Sequence, residues 1–364
     1  MKILRILLLF LFFFFNSFFI SKAQIVLLDS IVLNGKNNNT IFFNSFKPET
    51  INGKIFLLDN FGSQLYLFDL KGDFLDSINL LGLGSRFIPN KVISKNDLMY
   101  FEDGYEIKVC NREKQLFEIN IPYRDENQVR YLNISSNEIE IKEDKIYQPS
   151  NIFSHSGEEN EWSESTRREH FERNIISIYS VMDTTIFFEK NIVPRPISLI
   201  DSFVKYPWLD NRIITFNQNE IAVSEFADST IRFFNYEGDL INSFGRNGKY
   251  WMKISRPDKF YDDTSSIKNR NKIYKELKGK ESFYGKVLSD KKYLTRIYLV
   301  PINKTELTEK VKYNFYLQIY ENGKLKSDEK WDENVFPFSI CEGKLYCVKR
   351  DSVNKKLKLV VYQL

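Results

Sequence analysis

Apolar and polar residues alternate with a period of two through many short stretches of this chain. In Glu106-Ile-Lys-Val-Cys110, Ile107 and Val109 flank Lys108, and in 314–325 Phe315, Leu317 and Ile319 alternate with Tyr316, Gln318 and Tyr320. That period places successive side chains on opposite faces of a pleated strand. Turn residues punctuate the stretches: Lys71-Gly72, Glu237-Gly238 and Asn322-Gly323, the last a strong hairpin signal. The whole segment 52–82 lines up without a gap on 218–248 at a constant offset of 166 residues. Ile55 falls on Ile221, Leu57 on Val223, Leu65 on Ile231, Phe68 on Phe234 and Gly72 on Gly238. Each copy reads as strand, loop, strand, Gly turn, strand and Gly-rich exit. A recurring antiparallel unit of this kind predicts an all-β chain built as a β-propeller.

Six units centre on 55–88, 98–121, 138–193, 212–256, 283–326 and 336–364. The last unit lacks an outer strand, and the strand-like segment 25–33 is spare. Their pairing predicts a six-bladed β-propeller in which the mature N-terminal strand completes the C-terminal blade and closes the ring, removing an open edge. Residues 150–174 interrupt the third unit. They hold six Glu against three Arg and few apolar residues, the profile of a solvated loop or short helix anchored by Trp162 and Phe171.

The N-terminus reads as a targeting segment. Lys2 and Arg5 precede a mostly apolar run over 6–20, and Ser21-Lys22-Ala23 offers small residues for cleavage after Ala23. The expectation is a signal peptide over 1–23 and a single propeller domain over 24–364, secreted or periplasmic. No membrane span is expected after cleavage. No Cys stands near the cleavage point for a lipid anchor. Removing Lys2, Arg5 and Lys22 lowers Lys+Arg from 52 to 49 against 48 Asp+Glu, so the formal net charge falls from +4 to +1. Nothing in that balance calls for a nucleic-acid partner.

The pattern Ile55-x-Leu57-x-Asp59, Leu65, Phe68-Asp69, Gly72 and Phe74, followed by Gly82, Gly84 and Pro89, resembles NHL-type repeats. The second copy keeps Phe234, Gly238, Gly245, Gly248 and Pro257 but places Glu225 where the first has Asp59. The chain is similar to the six-bladed propellers of secreted and cell-envelope proteins of Bacteroidota, many of unknown function. The resemblance implies fold and compartment and no particular activity.

Candidate chemistry is sparse. The two histidines, His155 and His170, share the 150–174 insertion with Glu158, Glu159 and Glu169, but His155-x-x-Glu158 is not a ligand motif. No metal and no cofactor are expected. A Ser-His-Asp triad would need one of those insertion histidines. Asp59, Glu225 and Asp228 are candidate channel carboxylates for a propeller hydrolase or lactonase; the ordinary reading is that such turn carboxylates cap backbone N–H groups. Tyr206, Trp208 and Arg212, set around Pro207 just before a strand, combine aromatic faces with a guanidinium and form the candidate ligand-binding group. Packing between blades is the alternative use of those side chains. The leading functional expectation is a non-catalytic module that binds a protein or glycan through loops at one end of the ring. Of the three cysteines, Cys341 and Cys347 flank a turn whose register pairs Cys341 with Lys344 rather than with Cys347, so free thiols are expected.

Overall fold

Six antiparallel sheets of four strands each form the ring among the described residues of the computed structural model. The structure describes residues 25–33, 46–51, 53–59, 64–80, 83, 89, 91–95, 98–102, 106–111, 115–120, 129–130, 139–149, 152–153, 164–182, 185–205, 212–226, 228–252, 282–302, 312–351, 353 and 356–364. Blade 1 runs Phe46–Ile51, Lys54–Asp59, Gln64–Asp69, Phe74–Asn79, and blade 2 runs Lys91–Lys95, Leu98–Glu102, Glu106–Cys110, Gln115–Asn120. Blade 3 comprises Glu140–Lys142, Lys145–Pro149, Ile176–Met182, Thr185–Ile192, and blade 4 comprises Arg212–Phe216, Ile221–Glu225, Ile231–Phe234, Leu240–Phe244. Blade 5 is formed by Phe283–Ser289, Tyr293–Pro301, Tyr313–Glu321, Lys324–Trp331. Blade 6 takes Val335–Cys341, Lys344–Asp351 and Lys356–Gln363 from the end of the chain. Its fourth strand is Val26–Val32, which pairs antiparallel with Lys356–Gln363 from Val26 opposite Gln363 to Val32 opposite Lys358.

The packing explains why the middle strands are not cleanly amphipathic. Each blade is covered on both faces, so alternate side chains feed two different cores. In Lys54–Asp59, Ile55 and Leu57 face a core shared with blade 6 (Phe338, Tyr346, Leu359), while Phe56 and Leu58 face one shared with blade 2 (Val92, Met99, Phe101). The same arrangement continues between blades 2 and 3 (Ile107, Val109, Ile146), 3 and 4 (Ile178, Ile214, Val223), 4 and 5 (Phe233, Val287, Tyr320) and 5 and 6 (Leu317, Leu345, Cys347). One core thus lies between each successive pair, blade 6 against blade 1 included.

Gly72 and Gly238 occupy the same turn, between the third and fourth strands of blades 1 and 4. Asp69 Oδ1 accepts the N–H groups of Lys71 and Asp73, both at 2.9 Å, and Asn235 Oδ1 accepts those of Glu237 and Asp239 at 3.1 and 2.7 Å. Both glycines have positive φ, +85° and +100°. Each presses on the outer strand of the preceding blade: a Cβ at Gly238 would stand 2.8 Å from Ile192 Cβ, and one at Gly72 3.3 Å from Ile31 Cγ2. The N-terminal strand therefore receives the same contact from blade 1 that the outer strand of blade 3 receives from blade 4.

Cys341 pairs with Lys344 and Cys347 with Pro337, and all three cysteines are free thiols.

Candidate functional site

An antiparallel meander sends its connections alternately to opposite ends. Within each blade the first-to-second and third-to-fourth links emerge on one face of the ring. The second-to-third links and the links between blades emerge on the other. Every link on the first face is a short turn, such as Asn322-Gly323 or Glu342-Gly343. The long links, 33–45, 80–90, 121–139, 150–175, 193–211, 245–282 and 302–312, all belong to the second face. The longest of them, 150–175 and 245–282, leave strands of blades 3 and 4. Loops held on a rigid scaffold are where binding groups concentrate.

Over blade 3 the described parts of these links pack on one another. Val129–Arg130 pairs antiparallel with Ile152–Phe153. Helix α1 (Glu164–Glu172), from the polar insertion, contacts helix α2 (Ile197–Lys205). Arg168 Nη2 donates to Asp201 Oδ1 of α2 at 2.9 Å, joining the two helices. Phe171 is fully buried, its carbonyl accepts from Arg195 Nη1 at 3.0 Å, and the Arg195 guanidinium lies 5.5 Å from its ring. The described part of the insertion thus holds a short strand and a helix that buries Phe171, while Trp162, the other expected anchor, lies outside the described residues.

Over blades 4 and 5 the face carries a row of aromatic rings. Phe226, in the second-to-third link of blade 4, stacks on Phe283 at 4.3 Å and 10°, and Phe283 meets Tyr313 edge-on at 5.1 Å. All three are half-buried. The backbone ties the row together, since Tyr284 N donates to Phe226 O at 2.9 Å. Beside it, segment 245–252 leaves blade 4 and lies on blade 5. Trp251 stacks on Tyr284 at 4.2 Å, and Tyr250 stacks on Tyr316 at 4.6 Å. Tyr250, Met252 and Ile302 remain 42%, 37% and 43% exposed. The Lys249 ammonium lies 5.2 Å from the Tyr250 ring. Half-buried flat rings with an ammonium beside them suit the apolar faces of sugars or the side chains of a peptide.

The two glycines of segment 245–252 let the backbone come this close. A Cβ on Gly245 would collide with Ser229 O, and one on Gly248 with the Tyr298 ring. Tyr298 Oη donates to Asp328 Oδ1 at 2.7 Å, and Lys249 N donates to Asp328 Oδ2 at 2.8 Å. Burial, helped by the bond to Asp328, holds the Tyr298 hydroxyl above the ordinary tyrosine range, so it stays a donor.

Of the residues singled out in the sequence, Tyr206, Trp208 and His155 lie outside the described residues. His170 falls within α1. Arg212 begins the first strand of blade 4 at its loop-face end; it is buried and stands opposite Glu225, which is also buried. Asp59 ends the equivalent second strand in blade 1. Asp228 is engaged in its own turn: Oδ1 accepts Thr230 N at 3.0 Å and Oδ2 accepts Arg232 Nη2 at 2.7 Å. Among the described residues no three His, Cys, Asp or Glu side chains converge as a metal set, and no helix is long and apolar enough to cross a membrane. The row Phe226, Phe283 and Tyr313 escaped the sequence reading. Its members sit on three separate strands or links, and no local spacing joins them.

No family model matches the chain, and no curated protein matches it. Two solved structures from Bacteroides share its architecture. One, a member of the DUF4221 family from Bacteroides vulgatus, has a TM-score of 0.61 at 12% identity over 93% of this chain and 97% of its own. The other, from Bacteroides fragilis and predicted to be an exported protein, has a TM-score of 0.57 at 12% identity over 94% of this chain and 95% of its own. At that identity the likeness establishes the six-bladed propeller fold.

Proposed function

We propose that this protein is a binding module that takes a protein or glycan on the loop face of the ring, over blades 4 and 5. The observation that carries this reading is the half-buried row Phe226, Phe283 and Tyr313 on the face that gathers every long link. Rings already stacked on one another give up little side-chain freedom on binding, which favours affinity per contact. Tyr206 and Trp208 belong to the 193–211 link of the same face, and we assign them to the rim of the same surface. Asp228 is committed to its turn and to Arg232, which favours binding over carboxylate chemistry there. We further propose export to the periplasm or beyond, with cleavage after Ala23. The mature protein then begins at Gln24, two residues before the strand that completes blade 6. The NHL-like spacing of the two clearest repeats belongs to this reading as well.

The test is a panel of immobilised oligosaccharides and peptides probed with the mature chain and with Phe283→Ala and Phe226→Ala. Retention of a probe by the parent and about ten-fold weaker retention by both variants, at little changed melting temperature, supports the reading. Variants that bind as the parent does place the ligand elsewhere. Mass spectrometry of the exported protein should start at Gln24, and a product that keeps the run over 6–20 overturns the export proposal.

A further inference from the structure

Arg296 lies on the second strand of blade 5 and is fully buried, the largest such side chain in the molecule among the described residues. A buried guanidinium survives only where its donors are met, because an unpaired charge is expensive to desolvate. Among the described residues no carboxylate is its hydrogen-bond partner. Nη1 donates to Ser229 O at 2.9 Å. Nη2 donates to Arg246 O at 3.2 Å, to Gln318 Oε1 at 2.8 Å and to Tyr320 Oη at 3.4 Å. Nε donates to Gln318 Oε1 at 3.2 Å, and the guanidinium carbon stands 3.7 Å from the centre of the Tyr284 ring.

The two carbonyls belong to different loops. Ser229 lies in link 226–230, which carries Phe226. Arg246 lies in segment 245–252, which carries Tyr250, Trp251 and Met252. Both loops leave blade 4, and the side chain that holds them belongs to blade 5. Neighbouring side chains grip the second loop at the same residue. Gln318 Nε2 donates to Arg246 O at 3.4 Å, Tyr284 Oη donates to Arg246 O at 3.4 Å, and Arg246 N donates to Tyr320 Oη at 3.4 Å. A lysine has one compact ammonium and lacks the planar fork that reaches two separate acceptors at once.

We infer that Arg296 is the positioning residue of the loop face: its fork ties link 226–230 and segment 245–252 into one unit and so fixes the aromatic row against blade 5. The inference rests on reading that face as the binding site, but it is tested without any ligand. If the aromatic variants above leave binding unchanged, the function is misplaced while the fork remains testable.

The experiment is amide hydrogen exchange on the full mature chain and on Arg296→Lys and Arg296→Met. The expected result is exchange faster by about ten-fold or more at 228–230 and at 246–252 together, in both variants, with the amides of 55–58 and 99–101 in blades 1 and 2 unchanged. Equal acceleration in Lys and Met assigns the role to the fork. Parent-like protection in Arg296→Lys would assign it to charge alone and overturn the inference. Acceleration in one loop without the other, or evenly around the ring, overturns it too. So does the failure of both variants to fold, which would make Arg296 a residue of the propeller as a whole.

Discussion

Glycine does two separable jobs in this chain, and the difference can be measured. Gly53 has a φ of +70° and open space where a Cβ would stand, whereas Gly238 has a φ of +100° and a would-be Cβ 2.8 Å from Ile192 Cβ. Gly53→Ala should cost about 1 kcal/mol for the left-handed backbone alone. Gly238→Ala adds a clash between two blades and should cost about 1–3 kcal/mol more. Urea unfolding of both variants decides it, and equal losses would mean that the turn does not bear on blade 3. The thiols offer a second residue-scale check. Burial pushes Cys110 up to about 11 and Cys347 well above its ordinary value, with Cys341 raised less, also chiefly by burial. Thiolate is the reactive form, so an aromatic disulfide reagent at pH 8 should label the native protein slowly and all three thiols after denaturation. A single equivalent in denaturant would reveal a bridge between Cys341 and Cys347.

The strands were more legible than the links. Repeats 52–82 and 218–248 became blades 1 and 4 with the same Asx turn, Asp69 in one and Asn235 in the other. Asn322-Gly323 became the expected hairpin. A pattern of period two reports which residues share a face, and that suffices to count blades. It says nothing about which distant loops meet above them, so Phe226, Phe283 and Tyr313 gave no joint signal. Arg296 looked like the polar member of an alternating strand, Thr295-Arg-Ile-Tyr-Leu299, and its burial follows only from the loops that blade 4 lays over it. The insertion shows a similar limit. Its composition marks a solvated segment with Phe171 as an anchor, and Phe171 is fully buried, but composition alone does not say that its ring enters the core. Replacing 150–174 by a Gly/Ser linker should therefore cost about 3 kcal/mol or more from the lost Phe171 packing. Replacing 253–281 should be nearly neutral. Met252 and Ser282 already meet through Ser282 N to Met252 O at 3.0 Å and Met252 N to Ser282 Oγ at 2.9 Å, so the ends need only a short bridge. Melting temperatures of the two deletion variants test the contrast, and equal stability of both would refute it.

At the scale of the whole ring, stability is shared among six cores, each requiring two blades. Strand Lys356–Gln363 sits between Lys344–Asp351 and Val26–Val32 and contributes Leu357 and Leu359 to the core against blade 1 and Val360 to the core against blade 5. Removing residues 356–364 strips blade 6 of two strands and opens both of its interfaces. The shortened protein should lose its cooperative thermal transition, and a midpoint matching that of the full chain would show that the ring does not depend on this pairing. The pairing also imposes a schedule. Val26–Val32 leaves the ribosome more than 300 residues ahead of Lys356–Gln363, so it must wait for five blades before its partner exists. Contacts of such long sequence separation form slowly, and an unpaired apolar strand invites wrong partners while it waits. A polypeptide threaded through a membrane pore from its N-terminus would meet this delay on the far side, where the partner strand arrives only after five blades have passed. Assembly of this propeller is then a race between the arrival of 356–363 and the capture of 26–32 by another edge.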